Sequence, residues 1–303
     1  MELWDIYNKY RKKTDKTHEK GTRTGEGEFH IAVRVWIANE KNEVLIQRRQ
    51  LENITWPGMW EAAAAGSAIT GDNSEETAIK ETMEEIGLNI ENDVLEPLFS
   101  VQFKNGFDDN YLVRREVNIE DLKLEAEEVL DAKWATMDEI REMVKKEQFI
   151  PFPFLERVFH IILSSVRIHK NKPHAHPSGK LSNEIDMGDS YRVFYNNQVV
   201  GNILVFEKQL GHKKLHLMHM PEEFQNKGIE AEIIRRMESL YPEAEKWELE
   251  TKVDINRKDN IYEDLGYIET GETGMVNEKV NFANYLKEND IYRIGDIVDL
   301  KNK

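Results

Sequence analysis

Residues 66–88 read GSAITGDNSEETAIKETMEEIGL, and this stretch decides the fold of the N-terminal half. Glu81, Glu84 and Glu85 stand at i, i+3 and i+4, a spacing that stacks three carboxylates on one face of a helix within one turn. Like charges held that close repel unless a cation sits opposite them. A hard divalent cation such as Mg²⁺, which takes oxygen ligands and sits beside substrate phosphates, is the natural partner. At 100° per residue Ile79, Thr82, Met83 and Ile86 gather on one flank, expected to pack on a sheet, while the glutamates and Leu88 point away from it. Asn73 with Glu76 three residues later reads as a helix start, and Gly87 as its stop. An acidic surface helix would show the same three glutamates, so the flanking residues matter.

Those residues extend the pattern. The segment resembles the Nudix box, Gly-x5-Glu-x7-Arg-Glu-U-x-Glu-Glu-x-Gly-U, where U is a bulky aliphatic residue. Gly66, Asp72, Lys80, Glu81, Thr82, Glu84, Glu85, Gly87 and Leu88 occupy its positions with every spacing kept. Three positions depart conservatively: Asp72 for Glu, Lys80 for Arg, and Thr82 for the aliphatic residue. The resemblance implies an α/β/α sandwich and a catalytic set of Glu81, Glu84, Glu85 and Lys80. It also implies Mg²⁺ (or Mn²⁺) held by those glutamates and the backbone carbonyl of Ala65. Lysine keeps arginine's charge and loses its planar fork, so Lys80 is expected to orient the carboxylates less firmly, as a structural cation.

Composition limits the alternatives. The 303 residues suggest two domains, and the absence of cysteine excludes disulfides, thiolate metal sites and a cysteine nucleophile. The first residues, MELWDIY, lack the apolar core of a signal peptide, and no apolar run has the length of a membrane span. A formal net charge of −16 argues against nucleic acid and anionic membranes as partners. A cytoplasmic enzyme acting on a small-molecule diphosphate is expected; nothing in the sequence addresses oligomeric state.

Along the chain, residues 1–25 read as a polar lead-in. Strands are expected at 28–38, with Ile31, Val33, Val35 and Ile37 on one side, and at 43–49. Trp56-Pro57-Gly58-Met59-Trp60 forms an aromatic turn between them and the glutamate helix. Further strands fall near 96–103, 110–117 and 129–134, and helices at 137–146 and 152–166. Residues 169–180, HKNKPHAHPSGK, carry no periodicity and read as a linker; His174 and His176 lack a third ligand nearby. The expected division is thus a domain over 1–168, a linker over 169–182 and a smaller domain over 183–303.

In that second part, strand 215–220 runs through Pro221 to Ile229 into a helical pattern ending at Leu240, followed by strand 246–251 and the segment 260–267. A strand leading to a glycine turn at a helix N-terminus presents free backbone N–H groups to an anion. The arrangement is similar to the GNAT acyltransferases, a mixed-sheet fold whose corresponding turn cradles the pyrophosphate of acetyl-CoA. The resemblance places Gln225, Asn226, Lys227, Gly228 and Ile229 in that turn, and Tyr262 where many members carry a tyrosine proton donor. Glu230 stands where the pattern has Gly or Ala, and its bulk and charge oppose an anion. The region also looks short of the first strand and of paired helices. Acetyl-CoA binding and a degenerate scaffold both stay open.

The expected function is Mg²⁺-dependent hydrolysis of a diphosphate linkage in a nucleoside diphosphate derivative or similar compound. Glu127 and Glu128 are candidates for a later-loop carboxylate that takes the water's proton. Two alternatives remain. One is a sensor that binds a nucleotide or metabolite without turnover, with the second half as a partner surface. The other is an isopentenyl-diphosphate isomerase, suggested by Gly27-Glu28-Phe29-His30 and Pro57-Gly58-Met59-Trp60. Such isomerases resemble this chain but carry Cys-Gly-His where it has Ala65, Gly66 and Ser67, which disfavours isomerase chemistry.

Overall fold

Alternating Ile31, Val33, Val35 and Ile37 make one face of a central strand apolar, and the fold of the first unit is built around it. The computed structural model describes residues 2–171, 188–218, 220–224, 227–252, 261–276 and 280–288. They divide into two compact units, the first ending at Ser164 and the second beginning at Ser165.

The first unit opens with a hairpin, β1 (Leu3–Tyr7) and β2 (Lys13–Glu19), where the sequence suggested only a polar lead-in. Its lysines disguise it, because β2 is largely solvated while Trp4, Asp5 and Ile6 of β1 are buried. Next come β3 (His30–Ala38), β4 (Val44–Arg49), β5 (Trp60–Glu61) and β6 (Ala64–Ser67). After α1 (Ser74–Ile86) follow β7 (Glu96–Phe103), β8 (Gly106–Arg114), β9 (Val129–Ala135), α2 (Met137–Lys145) and α3 (Leu155–Leu163). These strands form a seven-stranded mixed sheet in which β3 pairs in parallel with β8 from His30 to Ala38. β6 joins the first half of β3 and β4 its end.

Two cores follow from the two faces of β3. Ile31, Val33, Val35 and Ile37 pack with Ala78 and Ile86 of α1. Trp36 and Ala38 pack with Ile140 of α2 and with Val158, Phe159 and Ile162 of α3. The result is the expected α/β/α sandwich.

The second unit starts earlier than its sequence suggested. β10 (Val166–Lys170) pairs with β11 (Asp189–Tyr195), so the first strand is present and the strand covers His169 and Lys170, where a linker was expected. His174 and His176 lie outside the described residues. β12 (Gln198–Gln209), β13 (His212–Met218), α4 (Ile229–Leu240), β14 (Lys246–Lys252), α5 (Ile261–Asp264), β15 (Ile268–Val276) and β16 (Val280–Glu288) complete it. The order β10-β11-β12-β13-β14-β16-β15 is mixed, with one parallel pair, β13 and β14, connected through α4. Ile233, Ile234 and Met237 of α4 and Tyr262 and Leu265 of α5 pack on Leu215, Trp247 and Leu249 of the sheet. Both helices lie on that one face, giving the smaller mixed-sheet unit that was expected. Among the described residues, no helix is long and apolar enough to cross a membrane.

Candidate active site

Helix α1 is fixed at both ends by local chemistry. Asn73 accepts from the Glu76 N–H at 3.0 Å while the Glu76 side chain accepts from the Asn73 N–H at 3.0 Å, a complete capping box. Gly87 ends the helix with φ 68°, a conformation that side chains rarely adopt. The buried stripe differs from the one expected. Ala78, Thr82 and Ile86 face inward, but Met83 is 52% exposed and Glu85 is buried. Thr82, at the motif's aliphatic position, donates its hydroxyl to the Ala78 carbonyl at 2.7 Å and so enters the core with its polar group satisfied.

The helix therefore sends its three glutamates to three environments. Glu85 Oε2 accepts from Gln47 Nε2 of β4 at 2.5 Å and from the Ala65 N–H of β6 at 3.3 Å. Glu81 is partly buried and lies against Gly66, where an added Cβ would stand 1.9 Å from its Cδ. That contact is the physical need for glycine at the start of the motif. Glu84 is exposed. Among the described residues, no three acidic or histidine side chains already converge on a single point.

Electrostatics sharpen the picture. Burial, with repulsion from Glu84 and Glu128 against the pull of Lys20, pushes Glu81 up to about 7. Burial first, then Glu61 and Glu81, raises Glu85 well above the usual carboxylate range, while the Gln47 hydrogen bond opposes this. Glu128 thus lies within electrostatic reach of both, and Lys20, just after β2, within electrostatic reach of Glu81. Lys20 also bonds Glu2 at 2.8 Å. Sequence reading missed Gln47 and Lys20: glutamine in a strand and lysine in a polar stretch carry no distinguishing signal.

Lys80 does not reach the carboxylate face. Its ammonium donates to both oxygens of Asp72 at 2.7 Å, so two of the motif's three departures pair with each other. The pair ties the loop before α1 to the helix middle. The hairpin grips the same loop, through the Thr70 N–H on the Leu3 carbonyl at 2.7 Å and the Gly71 N–H on Asp5 at 3.0 Å. Beside it, Asp109 accepts from Arg11 and from Ser74 Oγ, and Ser74 in turn accepts from Tyr111.

The set fits a hard cation. Its donors are carboxylate and carbonyl oxygens, Gly66 lets the Glu81 carboxylate lie against the β6 backbone, and Gln47 Oε1, on the amide that bonds Glu85, is buried without a partner. Glu81, Glu84, Glu85 and the Ala65 carbonyl are the groups that would hold it.

In the second unit Gln225 and Asn226 lie outside the described residues. Lys227 and Gly228 are exposed and Ile229 is buried; Gly228, with φ 73°, precedes α4. Tyr262 is buried, and its hydroxyl donates to Glu230. The tyrosine that the resemblance makes a proton donor is thus directed at the residue that breaks the anion-binding pattern.

Comparisons with known proteins find relatives of the first unit. Residues 28–158 match the NUDIX domain family. An uncharacterized Nudix hydrolase of Listeria monocytogenes is 40% identical over 161 residues, which are 53% of this chain and 95% of that protein. The chain belongs to the Nudix hydrolase family, a family of hydrolytic enzymes. An isopentenyl-diphosphate Δ-isomerase of Salmonella arizonae is 29% identical over 119 residues, 37% of this chain and 64% of that enzyme. Among solved structures, an IAA acetyltransferase from Bacillus cereus aligns over 41% of this chain and all of its own, with TM-score 0.33 and 17% identity.

Proposed function

We propose that the first unit hydrolyses a diphosphate linkage in a nucleoside diphosphate derivative or a similar small molecule, with Mg²⁺ or Mn²⁺ as cofactor. The observation carrying this reading is that two motif glutamates lie against the β6 backbone, Glu85 accepting from the Ala65 N–H and Glu81 resting on Gly66. A bound divalent cation supplies charge neutralisation at the phosphate oxygens and acidifies a water. Glu81, Glu84, Glu85 and the Ala65 carbonyl hold it, and Gln47 fixes the direction of Glu85. Glu128 is the better of the two later-loop carboxylates for accepting the water's proton, because its charge acts on Glu81 and Glu85. Lys80 acts at a distance, through Asp72 and the loop it anchors. Isomerase chemistry suits the site poorly, since Ala65 and Ser67 offer neither an acid nor an imidazole ligand.

Incubation with Mg²⁺ and a panel of nucleoside diphosphate sugars, dinucleoside polyphosphates, ADP-ribose, NADH and CoA, followed by measurement of phosphate products, tests the reading. Release from at least one compound, abolished by EDTA, is expected. No release from any of them would favour a binding protein without turnover.

A further inference from the structure

The loop between β6 and α1 sets how the glutamate helix stands against the strand, and the tolerance there is small. Glu81 lies so close to Gly66 that one carbon added to the glycine would overlap its carboxylate, and Glu85 accepts from the Ala65 N–H at 3.3 Å. Ligating side chains need holding to within about 0.5 Å of their working positions. Ser74 opens α1, and Glu81 follows about two turns later. A small rotation or slide at Ser74 is therefore carried along the helix to both carboxylates.

The β1–β2 hairpin fixes that start at two points. The first is on the loop. Past Ala68, whose N–H bonds the Ile31 carbonyl, β1 holds the Thr70 N–H on the Leu3 carbonyl and the Gly71 N–H on Asp5 Oδ2. Asp5 is 5% exposed, and Lys13 of β2 donates to the same oxygen at 2.6 Å, which fixes the direction of the carboxylate. The second point is on the helix itself. Asn8 Oδ1 accepts from the Tyr10 and Lys12 N–H groups at 2.9 and 3.1 Å, shaping a turn in which Arg11 takes φ 56°. From that turn the guanidinium reaches Ser100 Oγ at 3.1 Å and Asp109 Oδ2. Ser74 Oγ donates to this same Asp109 oxygen at 2.5 Å, so the hairpin's cation and the first residue of α1 share one atom. Trp4 and Ile6 bury apolar surface and suffice to explain the hairpin's part in folding. Asp5 and Arg11 add polar bonds directed at the helix start, and both precede residue 28, where the NUDIX match begins.

We propose that Asp5 and Arg11 are positioning residues for the metal-binding carboxylates, holding the start of α1 so that Glu81 and Glu85 stay against β6. They act through the loop and through Asp109, not on the reacting atoms. This role rests on the hydrolase reading above and extends its machinery to a part of the chain outside the motif.

Titration of the full chain with Mn²⁺, followed by the electron paramagnetic resonance of the free ion, reads the carboxylates without turnover. Asp5→Ala and Arg11→Ala should each weaken Mn²⁺ binding about tenfold, a cost typical of removing a ligand's outer support. Asp5→Asn, whose amide oxygen still accepts from the Gly71 N–H, should restore most of that affinity. Arg11→Met, which keeps the apolar stem over the Phe107 ring and loses the donors, serves if the alanine variants melt early. Ile6→Val is the control: it thins the core under the same hairpin and lowers the melting temperature, yet should leave Mn²⁺ affinity unchanged. Native affinity in folded Asp5→Ala and Arg11→Met variants, or an equal loss in Ile6→Val, would overturn the proposal and leave the hydrolase reading standing. Failure of the native chain to bind Mn²⁺ at all would instead sink the metal assignment, and this role with it.

Discussion

Glu84 and Glu85 are neighbours that differ in all but charge. The first is exposed; the second is buried against Gln47 with its carboxyl raised well above the usual range. Glu84→Gln and Glu85→Gln should each lower Mg²⁺-dependent hydrolysis by orders of magnitude, since a neutral amide is a poorer ligand. Only Glu85→Gln should raise the melting temperature measured in EDTA at alkaline pH, because it alone removes a carboxyl whose ionisation burial opposes. Near-native turnover in both variants would refute the assigned site. Lys80→Arg should preserve hydrolysis by keeping the contact with Asp72, whereas Lys80→Ala should impair it through the loop. In the second unit, Glu230 holds the Tyr262 hydroxyl and adds negative charge at the start of α4. Calorimetry should show weak or no acetyl-CoA binding to the native chain and tighter binding to Glu230→Gly. Micromolar affinity in the native chain would contradict this.

At the scale of elements, the ends of α1 are set by residues three or four apart. Asn73→Ala should therefore cost about 1 kcal/mol, seen as a lower urea midpoint with an unchanged slope. The same locality explains what the sequence made legible. Capping, the glycine stop and the alternation in β3 each lie within one short window, and all three reappear in the structure. The helix face was only half legible: Met83 seemed a core residue by hydropathy, but the sheet takes the smaller Ala78 and Thr82 and leaves Met83 outside. The hairpin was hidden because half its positions are solvated. Three pairings joined distant positions with no pattern to announce them: Gln47 with Glu85, Tyr262 with Glu230, and Asp5 with Gly71.

Taken whole, the first unit keeps protonatable carboxylates inside, and this gives its stability a pH signature. Glu81 stands at about 7 against an ordinary 4.5, so between those values the folded chain binds more protons than the unfolded one. Its contribution therefore favours folding at low pH and is lost as pH rises through that window. The raised carboxyl of Glu85 acts in the same sense. In EDTA, Glu81→Gln should flatten the fall in melting temperature between pH 5 and pH 8, and apparent Mg²⁺ affinity should rise over the same range as protons leave the ligands. A flat profile in the native chain would contradict both. The hairpin has a consequence for where this enzyme can be cut. Its match to the NUDIX domain begins at residue 28, yet Trp4 and Ile6 are core residues, Arg11 pairs with Asp109, and Leu3 and Asp5 satisfy the backbone before α1. A fragment trimmed to residues 28–158 would bare the apolar surface those side chains cover and strand the Thr70 and Gly71 N–H groups. It should collect in inclusion bodies where a fragment of residues 1–164 stays in the supernatant, because recognisable kinship and self-sufficient folding start at different places in this chain.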